Sequence, residues 1–227
     1  MNKLLNSYFE NRQDQLYLKI SSVINRNTLD EIANNIFRDN FIAVPRLVRG
    51  HEYYLEVTKQ ITLIKRQHNF MHTFKRRYGL QYIDRTCLDT LERKKNYIIT
   101  NIVTNPFKIY NDFFARACII ENGVEKHKRL TSFFTKLAHT ISPSKFSALD
   151  NPIRHYFEIN NESFIVSYGL LNETYSKWLK TNHNLLLRLR RKISAHDQNN
   201  ILELDSLENL KLLDMIFWFK ANRENNS

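Results

Sequence analysis

Apolar side chains recur at helical spacing along nearly the whole of this chain, and only four glycines and four prolines punctuate its 227 residues. That combination constrains the fold more than any other feature. Residues three and four apart share one face of a helix, whereas a half-buried strand needs alternation of period two. Leu130, Phe133, Phe134, Leu137, Ala138 and Ile141 obey the helical rule. So do Ile165, Tyr168, Leu171, Tyr175, Trp178 and Leu179, and then Leu186, Leu189 and Ile193. No alternating stretch of useful length competes, and no internal repeat or low-complexity tract is present. The expected class is all-α: a single compact multi-helix domain over residues 1–227, ending in a polar tail at 222–227.

Local signals place the helix ends. Asn27-Thr28-Leu29-Asp30-Glu31 reads as a capping box before Ile32, Ala33, Ile36 and Phe37, with Pro45 and Gly50 in a loop that closes this unit. A long helix is predicted from about His51 to Tyr78, with Gly79 as its terminator. Asp84 is suited to cap a helix through Cys87, Leu88, Leu91, Ile98 and Ile102. Asn105-Pro106 opens another that carries Phe107, Tyr110, Phe113, Phe114, Ala117 and Cys118. Asp205 or Ser206 is the expected cap of the last helix, with Leu207, Leu210, Leu213 and Phe217 on one face.

The charge balance narrows the partners. There are 34 Lys and Arg against 23 Asp and Glu, a net charge of +11, and 12% of the residues are aromatic. Cations interleaved with flat apolar rings fit a polyanion, nucleic acid ahead of a membrane surface. Between Glu56 and Asp84 there is no acid, yet Lys75, Arg76 and Arg77 fall there. A second acid-free block from Thr174 to His196 holds Arg188, Arg190, Arg191 and Lys192, and Lys126, Lys128, Arg129 and Lys136 form a smaller group. If these cations contact phosphates, binding must weaken steeply with salt. No apolar run approaches the ~20 residues that span a bilayer, and the opening residues lack the apolar core of a secretion signal. A cytoplasmic, non-membrane protein is the expectation. Cys87 and Cys118 read as reduced core residues, and the eight His show no metal-ligand spacing, so neither a metal nor another cofactor is implied.

The chemistry concentrates after Arg129. A helix through Phe133 and Ile141 is followed by a short loop with Pro143, and Asp150-Asn151-Pro152 then opens another helix. Asp-Asn-Pro is ordinary capping chemistry in itself. Lys136 falls beside the apolar face, where a lysine stem covers the core edge and its ammonium stays wet. His139 falls opposite the apolar stripe and is expected in solvent. Arg154 and His155, in the turns after Asp150, are within reach of phosphates.

Over about a third of the chain, three segments together resemble the helix-hairpin-helix DNA glycosylase superfamily, and particularly divergent bacterial glycosylase-like proteins. They are Phe134-Thr-Lys136-Leu-Ala-His139, Ser142-Pro-Ser-Lys-Phe146 and Leu149-Asp-Asn-Pro-Ile-Arg154, with Leu212-Leu-Asp-Met-Ile-Phe-Trp218 adding to them. The resemblance implies that Asp150 takes the place of the catalytic aspartate and that Lys136 stands where some members carry a Schiff-base lysine. The closely spaced hairpin glycines that grip a phosphate in the family are not reproduced around Gly123–Phe134. The implied activity is therefore a monofunctional hydrolase. It would flip a modified or damaged base out of DNA, break its N-glycosidic bond and leave an abasic site, with removal of a modified phage base in antiviral defence as the more specific form.

Two alternatives belong to other classes. Arg191 and His196 resemble the Arg-x4-His motif of HEPN-type ribonucleases, in which general acid–base help drives attack of a ribose 2′-hydroxyl on its own phosphate. A nucleic-acid-binding protein without chemistry would account for the charge alone.

Overall fold

The computed structural model describes residues 2–80, 83–121 and 124–224, and within them the chain is helical almost throughout. The all-α class expected from the periodicity is what the structure shows. Gly123 and the last residues of the polar tail, 225–227, lie outside the described residues, as does the side chain of Cys118. Cys87 is buried, as expected of a core residue. The chain forms two compact units, one made of residues 1–49 and 151–227 and the other of residues 50–150.

The first unit begins with α1 (Asn2–Val23) and the single turn α2 (Leu29–Glu31), which runs directly into a π-helical segment, Ile32–Ile42. The capping box does not form. The Thr28 hydroxyl instead donates back to the carbonyls of Val23 and Asn25 and makes no cap bond. Ile32, Ile36 and Phe41 are all buried, a four- and then a five-residue step that suits the wider turn of a π-helix. The unit resumes with α10 (Asn151–Tyr156), α11 (Phe164–Thr181), α12 (His183–Ser194) and α13 (Asn209–Glu224). Its core is aromatic. Phe217 of α13 lies 5.0 Å from Phe157 and stacks on Tyr175 at 5.8 Å, and the fully buried Trp178 donates its indole N–H to Ser21 of α1. Neither Asp205 nor Ser206 caps α13, which starts only at Asn209, beyond Leu207.

In the second unit the long helix predicted over 51–78 is broken. Pro45 starts α3 (Pro45–Lys59), which crosses from one unit into the other with Gly50 in its interior rather than in a loop. A short α4 (Ile61–Ile64) follows, and α5 (Phe70–Arg77) begins only after Asn69 adopts a left-handed conformation, φ 57°. The break is held by distant groups. The buried Lys95 ammonium donates to the Gln67 carbonyl and pairs with Glu92 at 2.8 Å, while Glu92 also accepts the Met71 amide at 2.8 Å. Backbone groups freed by the interruption thus find partners on α6 (Arg85–Arg93) and α7 (Lys95–Asn101).

Other local signals hold as read. Gly79, at φ +61°, closes α5 in a Schellman arrangement, its amide bonding Arg76 O while the Leu80 amide bonds Lys75 O. The Asp84 carboxylate accepts the Thr86 amide at the start of α6, and Pro106 is the first residue of α8 (Pro106–Phe113). That helix stops short of Ala117 and Cys118, which the periodicity had placed on it. They begin β1 (Ala117–Glu121), paired antiparallel with β2 (Val124–Lys128) in the register Glu121↔Val124. Asn122-Gly123 separates the strands in sequence, a dipeptide favoured in two-residue hairpin connections. The hairpin leads into α9 (Thr131–Ile141), whose Phe133 and Phe134 pack against Phe74, Tyr110 and Phe114.

Candidate active site

Helix α9 is surrounded by the core of its unit, with every residue from Phe133 to Ile141 buried except Lys136. This overturns the expectation for His139, which is 3% exposed. Its ring stacks on Tyr54 at 5.6 Å, and its Nδ1 lies 2.6 Å from the Phe146 carbonyl oxygen, so that nitrogen carries the hydrogen. Beyond its first turn only Lys136 keeps this helix in touch with solvent, so no polar face opposes the apolar stripe and the helical wheel failed for that reason.

The loop after α9 folds back along it. Phe146 closes a turn on the Ser142 carbonyl, and His139 holds Phe146 from α9. The Thr135 hydroxyl, one turn earlier, donates to the Leu149 carbonyl at 2.9 Å. Leu149 is itself buried, and these ties bring the next side chain, Asp150, against Lys136. Asp150 Oδ2 and Lys136 Nζ are 4.0 Å apart, their side chains 15% and 19% exposed. The pair is therefore mostly enclosed but still reachable. Asp150 is also the last residue of its unit, immediately before the chain enters α10.

The cations named from the sequence divide into those engaged inside the protein and those facing outward. Lys75 donates to the Ile83 carbonyl. Arg154 donates to the carbonyls of Asn160 and Glu162, fastening the turn after α10. Arg190 donates to Asn209 Oδ1 and to the carbonyls of Leu204 and Leu207, and burial lowers its pKa against the opposing influence of Glu208 and Asp205. These three side chains hold loops rather than present themselves to a strand of nucleic acid. Lys192 pairs with Asp30. Arg76, Arg77 and Arg129 are exposed in the second unit, and His155, Arg188 and Arg191 in the first.

Arg191 and His196 do not share a helix. α12 ends at Ser194, and the His196 amide closes the turn beyond it on the Ile193 carbonyl. His196 is half-buried and close enough to Asp39 to act on its carboxyl, which the Arg38 guanidinium chiefly holds below the usual range.

Sequence reasoning missed Tyr53, whose hydroxyl is buried without a hydrogen-bond partner among the described residues, and the Glu92–Lys95 pair. Neither has a local signature, because each is defined by contacts from other elements. Among the described residues no three His, Cys, Asp or Glu side chains gather as metal ligands, and no helix is long and apolar enough to cross a membrane. Comparison of the chain with family models, with curated proteins and with solved structures finds no match.

Proposed function

We propose that the protein is a DNA glycosylase-like hydrolase that removes a modified base through the carboxylate of Asp150. The observation that carries this reading is the meeting of Asp150 with Lys136 at 4.0 Å, on a loop tied at Thr135–Leu149 and His139–Phe146. A catalytic group must be held by its surroundings and still admit substrate, and both side chains keep a fraction of their surface open.

In this reaction water adds to C1′ of the deoxyribose as the C1′–N bond breaks, and the base leaves with the proton that the water gives up. Positive charge builds on the sugar in the transition state. The Asp150 carboxylate offsets that charge or takes the proton from the attacking water. The Lys136 ammonium faces the same carboxylate, fixing its direction and offering a cation for a nearby phosphate. The target nucleotide has to leave the stack to reach the site, and exposed arginines such as Arg76, Arg77 and Arg129 supply a sequence-independent hold on the strand. A bulky base of modified phage DNA is the substrate class this reading favours, in keeping with antiviral defence.

Purified protein incubated with natural and phage-modified DNAs is expected to create alkali-labile abasic sites in a modified one, with the free base identified by mass. Asp150→Asn should abolish release and leave DNA binding nearly unchanged. Salt-sensitive binding without base release from any DNA would reduce the protein to a binding module, and equal release by the mutant would remove Asp150 from the chemistry.

A further inference from the structure

The end of α5 carries a second polar feature, away from the Lys136–Asp150 pair in sequence and independent of it in chemistry. Arg76 and Arg77 are consecutive and exposed, and among the described residues neither guanidinium has a carboxylate partner. The carbonyls of Lys75 and Arg76 are already taken by the Leu80 and Gly79 amides, and the Lys75 ammonium by Ile83. Among the described residues neither guanidinium donates to an oxygen acceptor. Beside them, the Arg77 guanidinium lies over the ring of Tyr53, 5.7 Å from its centre, and Tyr78 meets that ring edge-on at 5.9 Å.

Tyr53 is 8% exposed, and its hydroxyl is buried with no hydrogen-bond partner among the described residues. Native proteins rarely leave a buried hydroxyl unpaired, and such a group points to a ligand or ion that completes it. Burial pushes its pKa up to about 12, with Glu56 adding to the rise and Arg77 and Arg76 opposing it. The phenol is therefore a hydrogen-bond donor at neutral pH, beside one guanidinium that lies over its own ring and a second, Arg76, next to it in sequence. Two guanidinium groups face one acid, Glu56, around a hydroxyl that lacks an acceptor, a balance that still suits an anion with several oxygens.

We propose that Arg76, Arg77 and the Tyr53 hydroxyl form a phosphate-binding site that takes a phosphodiester group of a nucleic-acid strand. The planar guanidinium suits bidentate contact with phosphate oxygens. Engagement draws Arg77 from the face of the Tyr53 ring toward the phosphate, and the hydroxyl gains its missing partner. The proposal rests on the reading above only for the nature of the strand; it requires no base excision.

The test uses the full chain and a labelled, unmodified DNA duplex, on which excision plays no part, with binding followed against salt and thermal melting measured alongside. Arg76→Gln and Arg77→Gln should each weaken binding and lower the salt slope by about one. Tyr53→Phe should weaken binding about tenfold, the loss of one hydrogen bond to a charged group, while melting stays the same or rises, because an unpaired buried hydroxyl has been removed. A drop in melting temperature with unchanged binding would make that hydroxyl structural and overturn the site, as would wild-type binding by both arginine variants. Inorganic phosphate added alone separates the sources. If it binds and Tyr53→Phe abolishes that binding, while duplex affinity ignores all three substitutions, a free anion replaces the strand and the proposal falls. Failure of Asp150 chemistry leaves every one of these readouts standing.

Discussion

Lys136 on α9 and Asp150 at the end of the following loop approach to 4.0 Å although they lie fourteen positions apart in sequence. Neither belongs to the other's helix, so the pair depends on the return of the loop along α9. An ion pair with side chains 19% and 15% exposed is intermediate between a solvated surface pair and a dry one.

Lys136→Met is accordingly expected to cost about 1–2 kcal/mol of stability, between the values for exposed and buried pairs. Urea denaturation measures it. If Lys136 only positions Asp150, borohydride should trap no covalent protein–DNA adduct with the wild type, and Lys136→Arg should retain most of the base release. A trapped adduct lost in that variant would assign the lysine a nucleophilic role instead.

Arg190 and Arg191 are adjacent in sequence and opposite in use. Arg190→Ala removes bonds to Leu204, Leu207 and Asn209 and is expected to lower stability by about 2–3 kcal/mol, with faster amide exchange in residues 200–208. Its effect on the salt dependence of DNA binding should be small. Arg191→Gln should leave melting unchanged and, where Arg191 contacts a phosphate, reduce the salt slope by about one.

Gly79→Ala isolates a backbone effect. A Cβ at Gly79 meets nothing within 4 Å, so the cost comes only from φ +61°. About 1–2 kcal/mol of destabilisation is expected from placing an L side chain in the left-handed region. Gly50→Ala, inside α3 with equally open space, should instead stabilise by about 0.5–1 kcal/mol.

Asp84 gives the stability a pH dependence. Its carboxylate is held below the usual pKa by the Thr86 amide at the start of α6. A carboxyl depressed in the folded state contributes its full stabilisation above its unfolded pKa and loses it as pH falls through the folded value. Asp84→Ala should therefore be less stable than wild type at neutral pH, with the difference shrinking below about pH 4. Parallel melts across pH 2–7, scanned at about one-unit steps, check it; a difference that stays constant over that range would mean the cap is not acting through its charge.

The helical class, the Asp84 cap, the Gly79 stop and the Pro106 start were all legible in the sequence, because each depends on a few neighbouring residues and on backbone preferences that those residues carry anywhere. The cationic surplus was legible from composition alone, whereas the candidacy of Asp150 came from the resemblance of three segments to a known superfamily. Tertiary structure decided the rest. Lys95 and Glu92 hold open the break after α4, where periodicity alone continues the helix, because they satisfy backbone groups from elsewhere in the chain. Enclosure of α9 buried His139 against the wheel, since neighbouring segments cover the side opposite the apolar stripe and leave only the Lys136 edge to water. Arg190 and Arg154 became loop fasteners while Arg76 and Arg77 stayed outward, a choice made by which carbonyls the folded chain brings near. Local propensities are written in short segments, but burial and pairing are settled only when distant segments meet.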